Sequence, residues 1–226
     1  MPVDYTVISI GTLSHNRLWG ESAAVRTAHA TTTMVAQDDR RILVDPSLPA
    51  QILEARFHER TGGKLTDVTD VFCTTLRPVH RRGLAALEHA RWWCAEPELE
   101  TYREHLKDLQ ESAERLSSDD LATVASDLKL LERFQPAPDK FGPQTHLYPL
   151  RGASPGSAGL LLTPATATIL LAGDAAVTAE HLRCGQVWEG CFDAEAALES
   201  LRDILEVADV IVPGHDNVTF APRRWL

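Results

Sequence analysis

Acidic and imidazole side chains recur in this chain where apolar runs end. Asp45 closes Leu43-Val44-Asp45-Pro46, Asp174 closes Ala172-Gly173-Asp174, and His215 and Asp216 follow Pro213-Gly214. A further apolar run, Asp70–Thr74, leads straight into Thr75-Leu76-Arg77-Pro78-Val79-His80. Carboxylates and imidazoles are the groups that exchange protons near neutral pH. A guanidinium keeps its charge throughout and can only donate hydrogen bonds.

Short β-rich runs must carry these residues. They are expected at Tyr5–Ile10, Thr31–Ala36, Arg41–Val44 and Asp70–Thr74, then at His146–Leu150, Ala158–Leu162, Thr168–Leu171 and Asp209–Val212. Helical spacing appears at Pro49–Arg60, which ends at Gly62-Gly63, and at Gly83–His89. Leu99, Tyr102, Leu106, Leu109 and Ala113 mark one amphipathic helix. Leu121, Val124, Leu128 and Leu131 mark another, started by Ser117-Ser118-Asp119-Asp120. This pair reads as a helical layer packed on a sheet; a lid or a dimerisation hairpin is the sharper alternative. Pro136-Ala137-Pro138 breaks the chain, and Asp193 caps a last helix, Ala194–Val207. Strands then helices, twice over, suit two sheets packed face to face with helices outside.

At 226 residues with 44% hydrophobic and 24% charged side chains, the composition is that of a soluble globular protein. A net charge of −10 opposes a broad nucleic-acid surface, leaving only local basic pairs at Arg81-Arg82 and Arg223-Arg224. No apolar run reaches membrane-spanning length, and MPVDYTVISI lacks the basic start of a secretion signal, so a cytoplasmic protein is expected. Cys73, Cys94, Cys184 and Cys191 form no C-x-x-C pair and read as reduced, buried small hydrophobes. Ser157 has no nucleophile-elbow context, and the glycines lack phosphate-loop spacing. His29, His146 and His181 fall near strand ends or loops, while Trp92, Trp93 and Trp188 read as core or interface anchors.

Four ordered landmarks resemble the metallo-β-lactamase superfamily across nearly the whole chain. They are Val44-Asp45; Thr74–His80 in place of T-H-x-H-x-D-H; Leu150–Ser157 in place of P-G-H-T-P-G-S; and Ala172-Gly173-Asp174 with Pro213-Gly214-His215-Asp216. The resemblance implies an α+β fold, a four-layer αββα sandwich, as one domain over 1–226 with a helical insertion at 98–134. It also implies hydrolysis of small esters, lactones or thioesters, the second half being most like the lactonase and glyoxalase-like branches.

In that family two metal ions share a bridging aspartate. The three histidines of one site correspond here to Thr75, Arg77 and Ala153, none of which can replace an imidazole on zinc. The second site corresponds to Val79, His80, Asp174 and His215, so three of its four ligands remain. The resemblance therefore implies a member without the dinuclear centre and without metal. It would be a binding or regulatory protein for a small molecule, as a possible homodimer, with no nucleic-acid or membrane partner. Arg77 would pair with Asp174 through both its prongs. The alternative is a mononuclear hydrolase holding one zinc or iron ion on His80, Asp174 and His215. A metal-free hydrolase would need Asp174 as general base and Arg77 as oxyanion stabiliser.

Overall fold

The computed structural model describes residues 2–112, 114 and 116–221. Ala113, Arg223 and Arg224 lie outside them.

Period-2 alternation divides the strands between two faces, and three apolar cores result. Along β3 (Arg40–Val44) and β4 (Asp70–Cys73), Ile42, Val44 and Phe72 turn one way, and Leu43, Val71 and Cys73 the other. The first set meets Leu160, Leu162, Leu171 and Val212 in the core between the sheets. The second set meets α1 (Ala50–Thr61), α2 (Glu96–Glu111) and α3 (Ser118–Leu131) through Leu53, Phe57, Leu99, Leu106 and Val124. Behind the other sheet, Leu170, Ala172 and Ile211 pack on Leu182 of α4 (Ala179–Cys184) and on Leu201 and Ile204 of α5 (Ala194–Val207). Helix, sheet, sheet and helix are thus stacked in four layers, as the sequence implies.

The first sheet runs β1 (Asp4–Ser9), β2 (Thr32–Gln37), β3, β4, β5 (Arg91–Cys94), β6 (Phe134–Pro136). The second runs β12 (Thr219–Phe220), β11 (Val210–Pro213), β10 (Ile169–Gly173), β9 (Ala158–Leu162), β8 (Thr145–Pro149), β7 (Lys140–Gly142). The parallel pairs β3/β4 and β10/β11 matter most, because their carboxyl ends open on the same edge of the sandwich. Open sheets bind ligands at such ends.

Three sequence expectations change. Gly83–His89 is only a 3-10 turn at Leu84–Leu87, since the segment closes directly into β5. Pro136-Ala137-Pro138 is the crossover from β6 in one sheet to β7 in the other. Cys73 and Cys94 are buried and face each other across β4/β5, but Cys184 is exposed and Cys191 half-buried, so neither of the latter acts as a core hydrophobe. All four are free thiols.

The α2/α3 pair packs as a layer, and it is also fastened to the loop after β4. Arg81 donates to the Leu76 carbonyl, to both carboxylate oxygens of Asp127 on α3 at 3.0 and 2.6 Å, and to the Tyr102 hydroxyl on α2. Burial, with the Asp127 carboxylate beside it, pushes Tyr102 up to about 12. Arg81 is therefore a structural clamp and no part of a basic patch. Gly156 completes the junction: a Cβ there would lie 2.1 Å from the Glu98 nitrogen at the start of α2. Gly156→Ala should lower the unfolding free energy by about 1–3 kcal/mol, measured by denaturant titration.

Candidate functional site

Asp174 leaves the end of β10 with its side chain only 2% exposed. It is placed there by Gly173, whose φ of 53° is left-handed and whose missing Cβ would strike the Thr74 hydroxyl at 2.4 Å. Three cationic or imidazole groups surround the carboxylate. His80 Nε2 and His215 Nε2 each lie 3.1 Å from Oδ1, and Arg77 Nη1 lies 3.2 Å from Oδ2. Burial would raise the acid's pKa, but His80 and His215 outweigh it and hold Asp174 well below the usual carboxylate range.

His80 is completely buried between two carboxylates. Its Nδ1 is 3.0 Å from Asp45 Oδ2 while its Nε2 faces Asp174. Burial alone would lower its pKa; Asp174 and then Asp45 reverse that and raise it to about 10. Asp45 itself sits at φ 49°, a left-handed conformation that costs a non-glycine residue energy. It accepts from the Thr74 nitrogen and hydroxyl at 2.8 and 2.7 Å. Neither ring nitrogen of His80 nor Asp174 Oδ1 makes an aligned hydrogen bond, so charge attraction rather than directional bonding holds this cluster.

His215 Nδ1 contacts the carbonyls of Thr12 and His29 at 3.1 and 2.9 Å. Carbonyl oxygens only accept, so Nδ1 carries a proton and the ring turns Nε2 toward Asp174. His29 thus supports the cluster through its backbone, while its own ring contacts the carbonyls of Ile10 and Thr27. His146 stays in β8, in register with Lys140 and Leu161.

The expected two-pronged Arg77–Asp174 pair is a single contact. The other nitrogen, Nη2, donates to the carbonyls of Ala153 and Gly190 at 2.6 and 2.8 Å. The guanidinium also lies 4.5 Å from the Trp188 ring centroid. Trp188 therefore anchors the site's cation, a role its sequence context did not suggest.

Sequence reasoning missed Glu98 altogether. Buried in the first turn of α2, it accepts at Oε1 from the Thr75 hydroxyl and Leu76 nitrogen, and at Oε2 from the Ser154 hydroxyl and Gly156 nitrogen. Four donors saturate one carboxylate, and they come from the two segments that the resemblance assigns to the first metal. Glu98 shares a helix face with Tyr102 and His105, and all three line a cavity of about 380 Å³; that i, i+4, i+7 spacing was the available signal.

The residues can be tested against metal chemistry directly. Around Thr75, Arg77 and Ala153 no imidazole is offered, and Thr75 and Arg77 are spent on protein partners. His80, Asp174 and His215 do form a compatible donor set: one ligand atom from each lies within 4.8 Å of the others. Both rings have their Nδ1 side occupied, leaving Nε2 toward the centre, as second-shell partners of metal-bound histidines do.

A family model for the metallo-beta-lactamase superfamily matches residues 26–215. The chain belongs to that superfamily. No curated protein sequence matches it. Among solved structures, a Thermotoga maritima protein assigned to the metallo-beta-lactamases superposes with a TM-score of 0.70 at 17% identity, covering 97% of this chain and 100% of that one. AidC, a dizinc quorum-quenching lactonase bound to the product N-hexanoyl-L-homoserine, gives 0.67 at 14% identity over 87% and 80%. A variant of Bacillus thuringiensis AiiA with N-decanoyl-L-homoserine in its active site gives 0.66 at 16% over 96% and 94%. At these identities the likeness is one of fold. No described helix is long and apolar enough to cross a membrane.

Two tests follow from this geometry. Glu98→Gln puts an amide N–H₂ against donors and should lower stability by about 2 kcal/mol or more in denaturant titration. His80 is raised from 6.5 to about 10 on folding, so its charge stabilises the fold fully below pH 6.5 and ceases to as pH passes 10. In chelator-treated protein the thermal midpoint should fall across that window, and His80→Gln should flatten the fall; an unchanged slope would contradict the assignment.

Proposed function

We propose that this chain is a small-molecule-binding member of the superfamily in which a fixed cation, Arg77, supplies positive charge that metal supplies elsewhere. The dinuclear centre and ordinary metal-dependent hydrolysis are lost, and no cofactor is needed. The single observation that carries this reading is the anchoring of Arg77. It meets Asp174, two backbone carbonyls and the Trp188 ring at once. A divalent ion on Asp174 would have to coexist with that charge in a buried setting, where like charges repel strongly.

Catalysis without metal has little support here. Asp174 is too acidic and too enclosed to be an effective general base at neutral pH. Binding has more. The 380 Å³ cavity is walled by Pro78, Tyr102, Pro155 and Phe192, with Arg77 and His105 among its polar members. Phe192 is 71% exposed. Its size falls within the usual range for organic ligands. Three of the five Arg77 N–H groups are used, which leaves donors for a ligand oxygen. An amphipathic carboxylate, the chemical type of the acyl-homoserine products held by the lactonases of this fold, matches apolar walls with one cation.

The mononuclear hydrolase remains the second reading, favoured by the Nε2 orientation of His80 and His215. Bound there, one zinc or iron ion would supply a Lewis acid and an acidified water. Metal analysis separates the two. Purified protein equilibrated with zinc should retain less than stoichiometric metal, and Arg77→Ala should bind zinc more tightly; tight stoichiometric zinc in the unaltered protein overturns the metal-free reading. For the ligand, calorimetry with N-hexanoyl-homoserine should show saturable binding that Arg77→Gln weakens about tenfold, and no turnover of the corresponding lactone.

A further inference from the structure

One short segment, Trp188–Phe192, both anchors Arg77 and presents an aromatic ring to solvent. Trp188 lies against the guanidinium, and the Gly190 carbonyl accepts from it. A Cβ on Gly190 would lie 2.6 Å from the Trp188 ring, so glycine is needed for that ring to fold back. Two residues on, Phe192 is 71% exposed and stands at the rim of the 380 Å³ cavity. Its backbone is pinned. The Phe192 nitrogen donates to the Gly152 carbonyl at 2.9 Å, and the Asp193 nitrogen donates to the same oxygen at 3.0 Å. The Asp193 side chain then caps α5. Only the Phe192 ring can turn, about its side-chain torsions, while its Cα stays in place.

The cavity wall offers that ring apolar company. The Thr101 hydroxyl donates to the Pro97 carbonyl, that of Ser154 to Glu98 and that of Tyr102 to Asp127. Glu98 is saturated by its four donors. Unspent polarity is left at the two ends. Arg77 lies at the Glu98 end, because Leu76 and Ser154 both bond that carboxylate. His105, which has no partner among the described residues, lies two turns further along α2. Seven residues of helix separate those ends, about 10 Å. A ligand with its carboxylate on Arg77 must therefore lay the rest of its length along a wall whose polar groups are already satisfied.

We infer that Phe192 sets the specificity of this site for chain length. Its ring turns onto an unbranched aliphatic tail, and each added methylene is buried between Phe192 and the α2 wall. The inference rests on the carboxylate-binding reading of Arg77 and adds the tail to it.

Calorimetric titration of the full-length protein with butanoate, hexanoate, octanoate and decanoate tests this. In the unaltered protein each added pair of methylenes should tighten binding about tenfold. Phe192→Ala should cut that step to about threefold and leave butanoate nearly unchanged, whereas Phe192→Leu should restore most of it. Phe220→Ala removes an equally exposed ring that is not part of the cavity wall, and should leave every step as it was. If no alkanoate binds the unaltered protein, the carboxylate-binding reading falls and the inference with it. If the alkanoates bind and Arg77→Gln weakens them, but Phe192→Ala keeps the full step or weakens butanoate as much as decanoate, the inference alone is overturned.

Discussion

A buried carboxylate must be compensated, and the strand-end edge of this protein is organised around doing that for Asp174. Taking a lone charge from water into a protein interior is costly enough that it survives only with counter-charges and donors around it. Here the compensation comes from three side chains on two separate chain segments: Arg77 and His80 from the loop after β4, and His215 from the end of β11. Asp45 then balances His80 from the end of β3. Four parallel-strand ends are thereby tied into one alternating array of charge. The strain at Asp45 and the close approach at Gly173 persist because that array fixes them.

The region that the resemblance assigns to a first metal shows the complementary solution. Thr75, the Leu76 nitrogen, Ser154 and the Gly156 nitrogen would leave unmet donors facing a vacancy; Glu98 meets all four. The helix that brings it is clamped by Arg81, Tyr102 and Asp127 to the same loop. Polar satisfaction in the core is therefore supplied by α2, and the α2/α3 layer stabilises the site edge as well as covering the sheet. This also explains why the cavity beside Arg77 is built from α2 side chains.

The superfamily fold and the chemistry of the strand ends rest on different residues. The sandwich depends on alternating apolar positions such as Leu43, Phe72, Leu160 and Leu170, which do not reach the strand ends. The strand ends can exchange imidazole for guanidinium, hydroxyl or methyl without disturbing those cores. Closely similar folds among lactonases and this chain follow from the cores alone.

Most of the fold was legible in the sequence because period-2 and period-3.6 patterns report local burial, and turns and caps such as Gly62 and Asp193 mark their ends. The same local reading failed at Gly83–His89 and overlooked the short strands Arg91–Cys94 and Lys140–Gly142, whose pairing is decided by distant partners. The resemblance of its motifs to the superfamily also implied that Arg77, His80, Asp174 and His215 form one set. What sequence alone determined is thus the layer pattern and the chemical identity of the strand ends. Only the tertiary structure decided that Arg77 divides its donors among Asp174, Ala153 and Gly190, that Glu98 joins the loop after β4 to the Ser154–Gly156 turn, and that Asn16 and His181 share a cavity. Those outcomes join residues up to 165 positions apart, and hydrogen-bond direction and burial across such separations leave no periodic trace in the chain.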